Sequence, residues 1–205
     1  MVKVKICGNA NLDDAMVAVQ AGADAIGFVF YAKSPRAVDS KTAVEIISRL
    51  PPFVVPVGVF VNEELMVVRR IMDECNIPLA QLHGEESPHY CAELGRSVIK
   101  AIRVRDSRDL ERMAAYQVSG FVLDAFVEGT SGGTGVTIDW DLAAQAQMLG
   151  PIILAGGLTP NNVLEAVRQV RPYAVDVTSG VEASPGKKDH AKVQAFITNA
   201  KSWTW

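Results

Sequence analysis

The chain is poor in cysteine. Its 205 residues hold only three, Cys7, Cys75 and Cys91. An odd, widely spaced set with no CxxC pair and no Cys/His cluster excludes a disulfide framework and a zinc site of ordinary spacing, so no metal is expected. A chain of this length buries roughly 70% of its unfolded surface and needs neither device for a core. Excess charge of one sign is also missing: 20 Lys and Arg stand against 23 Asp and Glu, a formal charge of −3. The basic residues are scattered, so nucleic acid is not an expected partner. Long apolar runs are absent. The segments 53–61 and 151–155 have strand length, far short of the roughly 20 residues that span a bilayer, and no membrane role is expected. Residues 2–7 read as a strand rather than as a signal peptide, which makes the cytoplasm the expected location.

What is present is ordinary globular composition, 49% hydrophobic and 21% charged, without a linker or low-complexity segment to divide it. One domain over 1–205 is expected. Short β-branched runs at 4–7, 25–30, 54–60, 79–82, 98–102, 120–124, 152–155 and 174–177 alternate with helix-like segments at 11–21, 40–50, 62–74, 87–95, 107–116, 139–149, 160–170 and 189–200. Asn62, Ser87 and Thr159 are candidate helix caps. Strand then helix, repeated without a hairpin signal, predicts parallel strands joined by helical crossovers. Eight units at roughly 25 residues each fit a near-minimal (β/α)8 TIM barrel, with an open doubly wound sheet as the alternative.

In such a barrel the chemistry sits where strands end. The segments Ala155-Gly156-Gly157-Leu158-Thr159 and Asp176-Val177-Thr178-Ser179-Gly180-Val181 follow the last two strands, the usual place of a phosphate cradle. Glycine lets N–H groups approach an anion, and a helix start after Gly180 would add partial positive charge. Gly156, Gly157, Ser179 and Gly180 are therefore candidate phosphate ligands; tight turns alone are the alternative. The glycine-rich 129–135 stretch is a candidate substrate loop or a plain connection, and it lacks the Gly-Lys-Ser/Thr ending of a nucleotide-binding loop.

Cys7 ends the first run, and period two places it on one face with Lys5 while Val4 and Ile6 face the other way. Branched apolar residues turn toward the helices, so Lys5 and Cys7 point inward. A nearby ammonium favours a thiolate and so a base; an inert buried cysteine is the competing interpretation, and it is kept for Cys75 and Cys91. Asp124 ends the apolar run 120–124, and a buried carboxyl group is a candidate proton donor. A thiol and a carboxyl group from different strands suit proton relocation better than nucleophilic hydrolysis. Arg36, in Ser34-Pro35-Arg36, could clamp a carboxylate through its planar fork. His83 and the inward-facing Asp176 are candidate substrate contacts, with structural roles as alternatives.

The ordered set Lys5-Ile6-Cys7-Gly8, Ser34-Pro35-Arg36, Gly58-Val59-Phe60-Val61-Asn62, Gln81-Leu82-His83-Gly84, Leu123-Asp124, Gly132-Gly133-Thr134-Gly135, Asp139-Trp140, Ala155-Gly156-Gly157-Leu158 and Asp176 to Glu182 resembles the phosphoribosylanthranilate isomerase family over nearly the whole chain. Thr178 stands where that family often has Ser, and Ile138 where Phe is common. The resemblance implies an Amadori rearrangement in tryptophan biosynthesis, without a cofactor, on a small sugar-phosphate substrate. It further implies Asp124 as acid, Cys7 as base, Arg36 on the anthranilate carboxylate, and the four loop residues on phosphate. Two other functions stay open at this point: a histidine-pathway aminoaldose isomerase, and a barrel that binds phosphate without catalysis. A monomer or a homodimer fits equally.

Overall fold

Alternation along the strands sorts side chains into two layers. Val4, Ile6, Ile26, Phe28, Phe60, Leu82, Leu123, Leu154 and Val175 point outward into one large apolar cluster with the helices. Val57, Ile99, Ala101, Val122, Ile153 and Ala174 point inward and fill the interior, together with Ala155 just beyond a strand end. Each fully buried large side chain, such as Phe28 or Phe60, contributes about 1.5–3 kcal/mol relative to exposure. Period two with both faces apolar is what a parallel strand covered by helices requires.

The computed structural model describes residues 1–104, 106–125 and 139–203. Eight strands, β1 (Lys3–Ile6), β2 (Ala25–Val29), β3 (Val55–Phe60), β4 (Leu79–Leu82), β5 (Ser97–Val104), β6 (Gly120–Ala125), β7 (Ile152–Leu154) and β8 (Ala174–Val177), form a closed barrel in sequence order. All neighbours are parallel, and β8 closes on β1 with Lys5 opposite Asp176. This is the (β/α)8 barrel expected, and the open sheet is excluded. The helices are α1 (Leu12–Ala21), α2 (Ser40–Ile47), α3 (Leu65–Glu74), α4 (Pro88–Glu93), α5 (Ser107–Met113), α6 (Trp140–Gln145), α7 (Val163–Val170) and α8 (His190–Lys201). No helix among the described residues is long and apolar enough to cross a membrane.

Of the three expected caps only Ser87 caps its helix: its hydroxyl accepts from Tyr90 N at 3.1 Å, with Pro88 at the first helical position. Asn62 instead adopts a left-handed φ of 51°. Its side chain accepts from Glu85 N at 2.6 Å, tying the loop after β3 to the loop after β4, and α3 starts later, at Leu65. Thr159 precedes an irregular turn, so α7 begins only at Val163, behind Asn162. A further departure lies between β8 and α8. Where no hairpin was expected, β9 (Glu182–Ser184) and β10 (Lys187–Lys188) pair antiparallel. Pro185-Gly186 makes their turn, with Gly186 at φ +83°, a conformation glycine adopts at low steric cost. The helix start foreseen after Gly180 is a single 3₁₀ turn, Ser179–Val181, and α8 follows the hairpin.

Candidate active site

At the carboxyl ends of the strands lies a cavity of about 390 Å³. Every site residue expected from the sequence lines it: Cys7, Arg36, His83, Asp124, Gly156, Gly157, Asp176, Ser179 and Gly180. The 129–135 stretch and Ile138 lie outside the described residues.

Cys7 sits one residue beyond β1, buried, its N–H donating to Val177 O at 2.9 Å. The neighbouring strand makes room for it with Gly27, where a Cβ would fall 2.7 Å from the Cys7 sulfur. Lys5, two residues back on the same inward face, donates from Nζ to Asp176 Oδ2 at 2.7 Å. Burial opposes a charged Lys5, but the Asp176 carboxylate and the Cys7 sulfur outweigh it and hold the ammonium above its ordinary pKa. Asp176 Oδ1 is buried and has no hydrogen-bond partner among the described residues. An orphaned carboxylate oxygen on a cavity wall is costly unless a ligand supplies a donor.

On the opposite wall, Asp124 stands next to last in β6 with 7% exposure. His83 Nε2 approaches its Oδ2 at 3.4 Å, and Gln81 Nε2 lies 2.9 Å from His83 Nδ1. An amide N–H can only donate, so Gln81 makes Nδ1 the acceptor and leaves the proton on Nε2, facing Asp124.

The glycine loops close the third side. Gly156 and Gly157 both hold left-handed φ, 76° and 64°. A Cβ on Gly180 would stand 1.9 Å from Leu158 O, so the loops after β7 and β8 touch through a position only glycine fills. Arg36 comes from the loop after β2. Its Nε and Nη2 form a two-point contact with Glu182 at 2.8 and 2.7 Å, which leaves three of its five N–H donors. The hydrogen bonds and charge of Glu182 raise the Arg36 pKa against the opposing effect of burial.

The sequence alone did not single out Glu182 or Lys188 as parts of this site. Glu182 ends a quoted motif, but a lysine in a polar hairpin reads as a solvated side chain. In the barrel Lys188 is 2% exposed, behind Cys7. Among the described residues no group of three or more His, Cys, Asp or Glu could hold a metal ion.

A closed parallel (β/α)8 barrel with a thiol, carboxylates and two glycine loops around one cavity at its carboxyl face defines a TIM-barrel enzyme. Residues 4–199 match the family model described as N-(5'phosphoribosyl)anthranilate (PRA) isomerase. The N-(5'-phosphoribosyl)anthranilate isomerase of Pelobacter propionicus is 55% identical, covering 98% of this chain and 96% of the relative. A solved phosphoribosyl anthranilate isomerase in complex with reduced 1-(o-carboxyphenylamino)-1-deoxyribulose 5-phosphate superposes with a TM-score of 0.90 at 45% identity, over 99% of this chain and 100% of that one. Monomers generated from the dimeric enzyme of Thermotoga maritima give 0.89 at 43%, over 99% and 100%. The chain belongs to the phosphoribosylanthranilate isomerase family.

Proposed function

We propose that this chain converts N-(5-phosphoribosyl)anthranilate to 1-(2-carboxyphenylamino)-1-deoxyribulose 5-phosphate, an Amadori rearrangement in tryptophan biosynthesis, by general acid and base catalysis. The observation that carries this is the meeting of Cys7 and Asp124, from the first and sixth strands, on the walls of one cavity with the Gly156-Gly157 and Ser179-Gly180 loops.

Asp124 gives its proton to the furanose ring oxygen. The C1–O bond breaks, and the anthranilate nitrogen lone pair forms the Schiff base. The Cys7 thiolate, beside the Lys5 ammonium, then takes the C2 proton. Those electrons move into the C1–C2 bond and return the imine nitrogen to an amine, giving an enolamine that relaxes to the ketone. Acid and base each supply roughly 10²–10⁴-fold. As Asp124 becomes a carboxylate, the His83 Nε2–H is placed to donate to it. Arg36 takes the anthranilate carboxylate through its remaining donors, backbone N–H groups of the two glycine loops take the phosphate, and the free Asp176 oxygen takes a sugar hydroxyl.

In this scheme 1–205 acts as one catalytic domain in the cytoplasm, on a small sugar phosphate, with neither nucleic acid nor membrane as partner. It works as a monomer or a homodimer. The deciding experiment follows loss of fluorescence of freshly made phosphoribosylanthranilate with purified protein, without added metal or nucleotide. Turnover is expected; ligand binding without turnover would reduce the chain to a phosphate-binding barrel.

A further inference from the structure

The β9–β10 hairpin is absent from the acid–base scheme, yet it reaches three walls of the cavity. Lys188 Nζ, on β10, donates to Cys7 O at 2.6 Å, to Thr178 O at 3.4 Å and to Glu182 Oε1 at 3.2 Å. Its side chain is fully buried. Glu182, on β9, holds the Arg36 fork. Gly186, at the turn, lies so close to the Ser34-Pro35-Arg36 loop that a Cβ there would fall 2.9 Å from Pro35 O. The hairpin is itself anchored from behind, since Lys188 N donates to Asp14 Oδ2 on α1 at 2.9 Å.

Three acceptors around one Nζ require three N–H donors, which an ammonium has and a neutral amine lacks. Burial lowers the Lys188 pKa from the ordinary lysine value, while Glu182 and Cys7 work in the other direction. Glu182 is likewise opposed by burial but held below its ordinary value by Arg36 and Lys188. A buried ion pair of this kind is weak support for stability, because desolvation consumes most of the attraction. Geometric specification is its better-attested use. Here it specifies the end of β1, the loop after β2 and the end of β8 relative to one another.

We propose that Lys188 is a positioning residue acting through Cys7 and, by way of Glu182, through Arg36, so that one buried ammonium locks the base and the carboxylate clamp into a single rigid unit. The proposal rests on Cys7 being the base. The charged groups that act on the thiol are Lys5 on β1, Arg36 from the loop after β2 and Lys188 on the hairpin, with Asp176 the partner of Lys5 and Glu182 the partner of the other two.

The test compares Lys188→Met, Glu182→Gln and the double variant, in which both members of the Lys188–Glu182 pair are removed together. Turnover and KM are measured, and the rate of Cys7 alkylation by iodoacetamide is followed against pH by mass of the Cys7 peptide. A base displaced by a fraction of an ångström loses rate rather than affinity, so Lys188→Met lowers kcat about tenfold or more, with KM changed by less than about threefold. Its alkylation profile changes as well, because the backbone that carries the thiol has lost the donor at Cys7 O. Glu182→Gln raises KM, because Arg36 loses its orienting partner. A Lys188→Met kcat within about twofold of the unsubstituted chain, with the alkylation profile unchanged, overturns the proposal. Loss of the folded state in both Lys188→Met and the double variant, read by circular dichroism, assigns the pair to the fold and also overturns it. Turnover that survives full alkylation of Cys7 in the unsubstituted chain overturns the base assignment itself, a separate failure.

Discussion

His83 stands between Gln81 and Asp124, with Nδ1 2.9 Å from the Gln81 amide nitrogen and Nε2 3.4 Å from Asp124 Oδ2. The order matters because the donor on one side fixes which ring nitrogen carries the proton on the other. Gln81→Leu removes that donor without charging the site. Turnover is expected to fall about tenfold, a part of the roughly 10²–10⁴ that a positioned acid supplies, with KM little changed. Steady-state kinetics decide it; unchanged kcat would mean that the ring needs no such guidance.

Cys7→Ala and Asp124→Ala each remove one partner of the proton transfers while leaving the glycine loops intact. Each is expected to lower kcat by roughly 10²–10⁴-fold with phosphate affinity retained, measured by fluorescence turnover and by calorimetric titration with inorganic phosphate. Near-normal turnover in either variant removes that residue's role.

Gly180 faces Leu158 O so closely that any side chain must push the two loops apart. Gly180→Ala is expected to cost about 1–3 kcal/mol of stability, as overpacking does, and to weaken phosphate binding at the same time. Urea unfolding and phosphate titration on one sample test both. A variant that loses neither would show that the two loops are free to separate.

Acid stability should depend on Asp24. Its carboxylate accepts from Lys3 Nζ at 2.9 Å and Val4 N at 2.9 Å and pairs with Lys201 at 2.8 Å. Burial raises its pKa, but the hydrogen bonds and charges of Lys201, Lys3 and Val4 N outweigh that and lower it in the fold. A folded pKa below the unfolded one stabilises the fold above the unfolded value, about 3.9, and that contribution is lost as pH falls toward the folded pKa. Asp24→Asn should therefore be less stable than the unsubstituted chain at neutral pH, with the gap closing below about pH 4. Urea midpoints across that range measure it, and a constant gap would refute the linkage.

The (β/α)8 alternation and the inward placement of Cys7 and Asp176 were legible because period two in a strand is a local property, readable without knowing any partner. The cap residues were read less well. Ser87 has only its own helix to serve, whereas Asn62 is drawn into a left-handed turn by Glu85 of the next loop. The β9–β10 hairpin was missed although Pro185-Gly186 marks a turn, because its strands are too short to show any alternation.

The residue order by itself determined the succession of strands and helices, the face on which each strand side chain stands and the chemistry gathered at the strand ends. Only closure of the barrel decided that Lys5 meets Asp176, that His83 meets Asp124 and that Lys188 meets Cys7 across 181 positions of chain. Such pairs depend on register and strand order around a closed sheet. Burial then changes what they mean, turning lysines that would be solvated in an open chain into charges held by named oxygens.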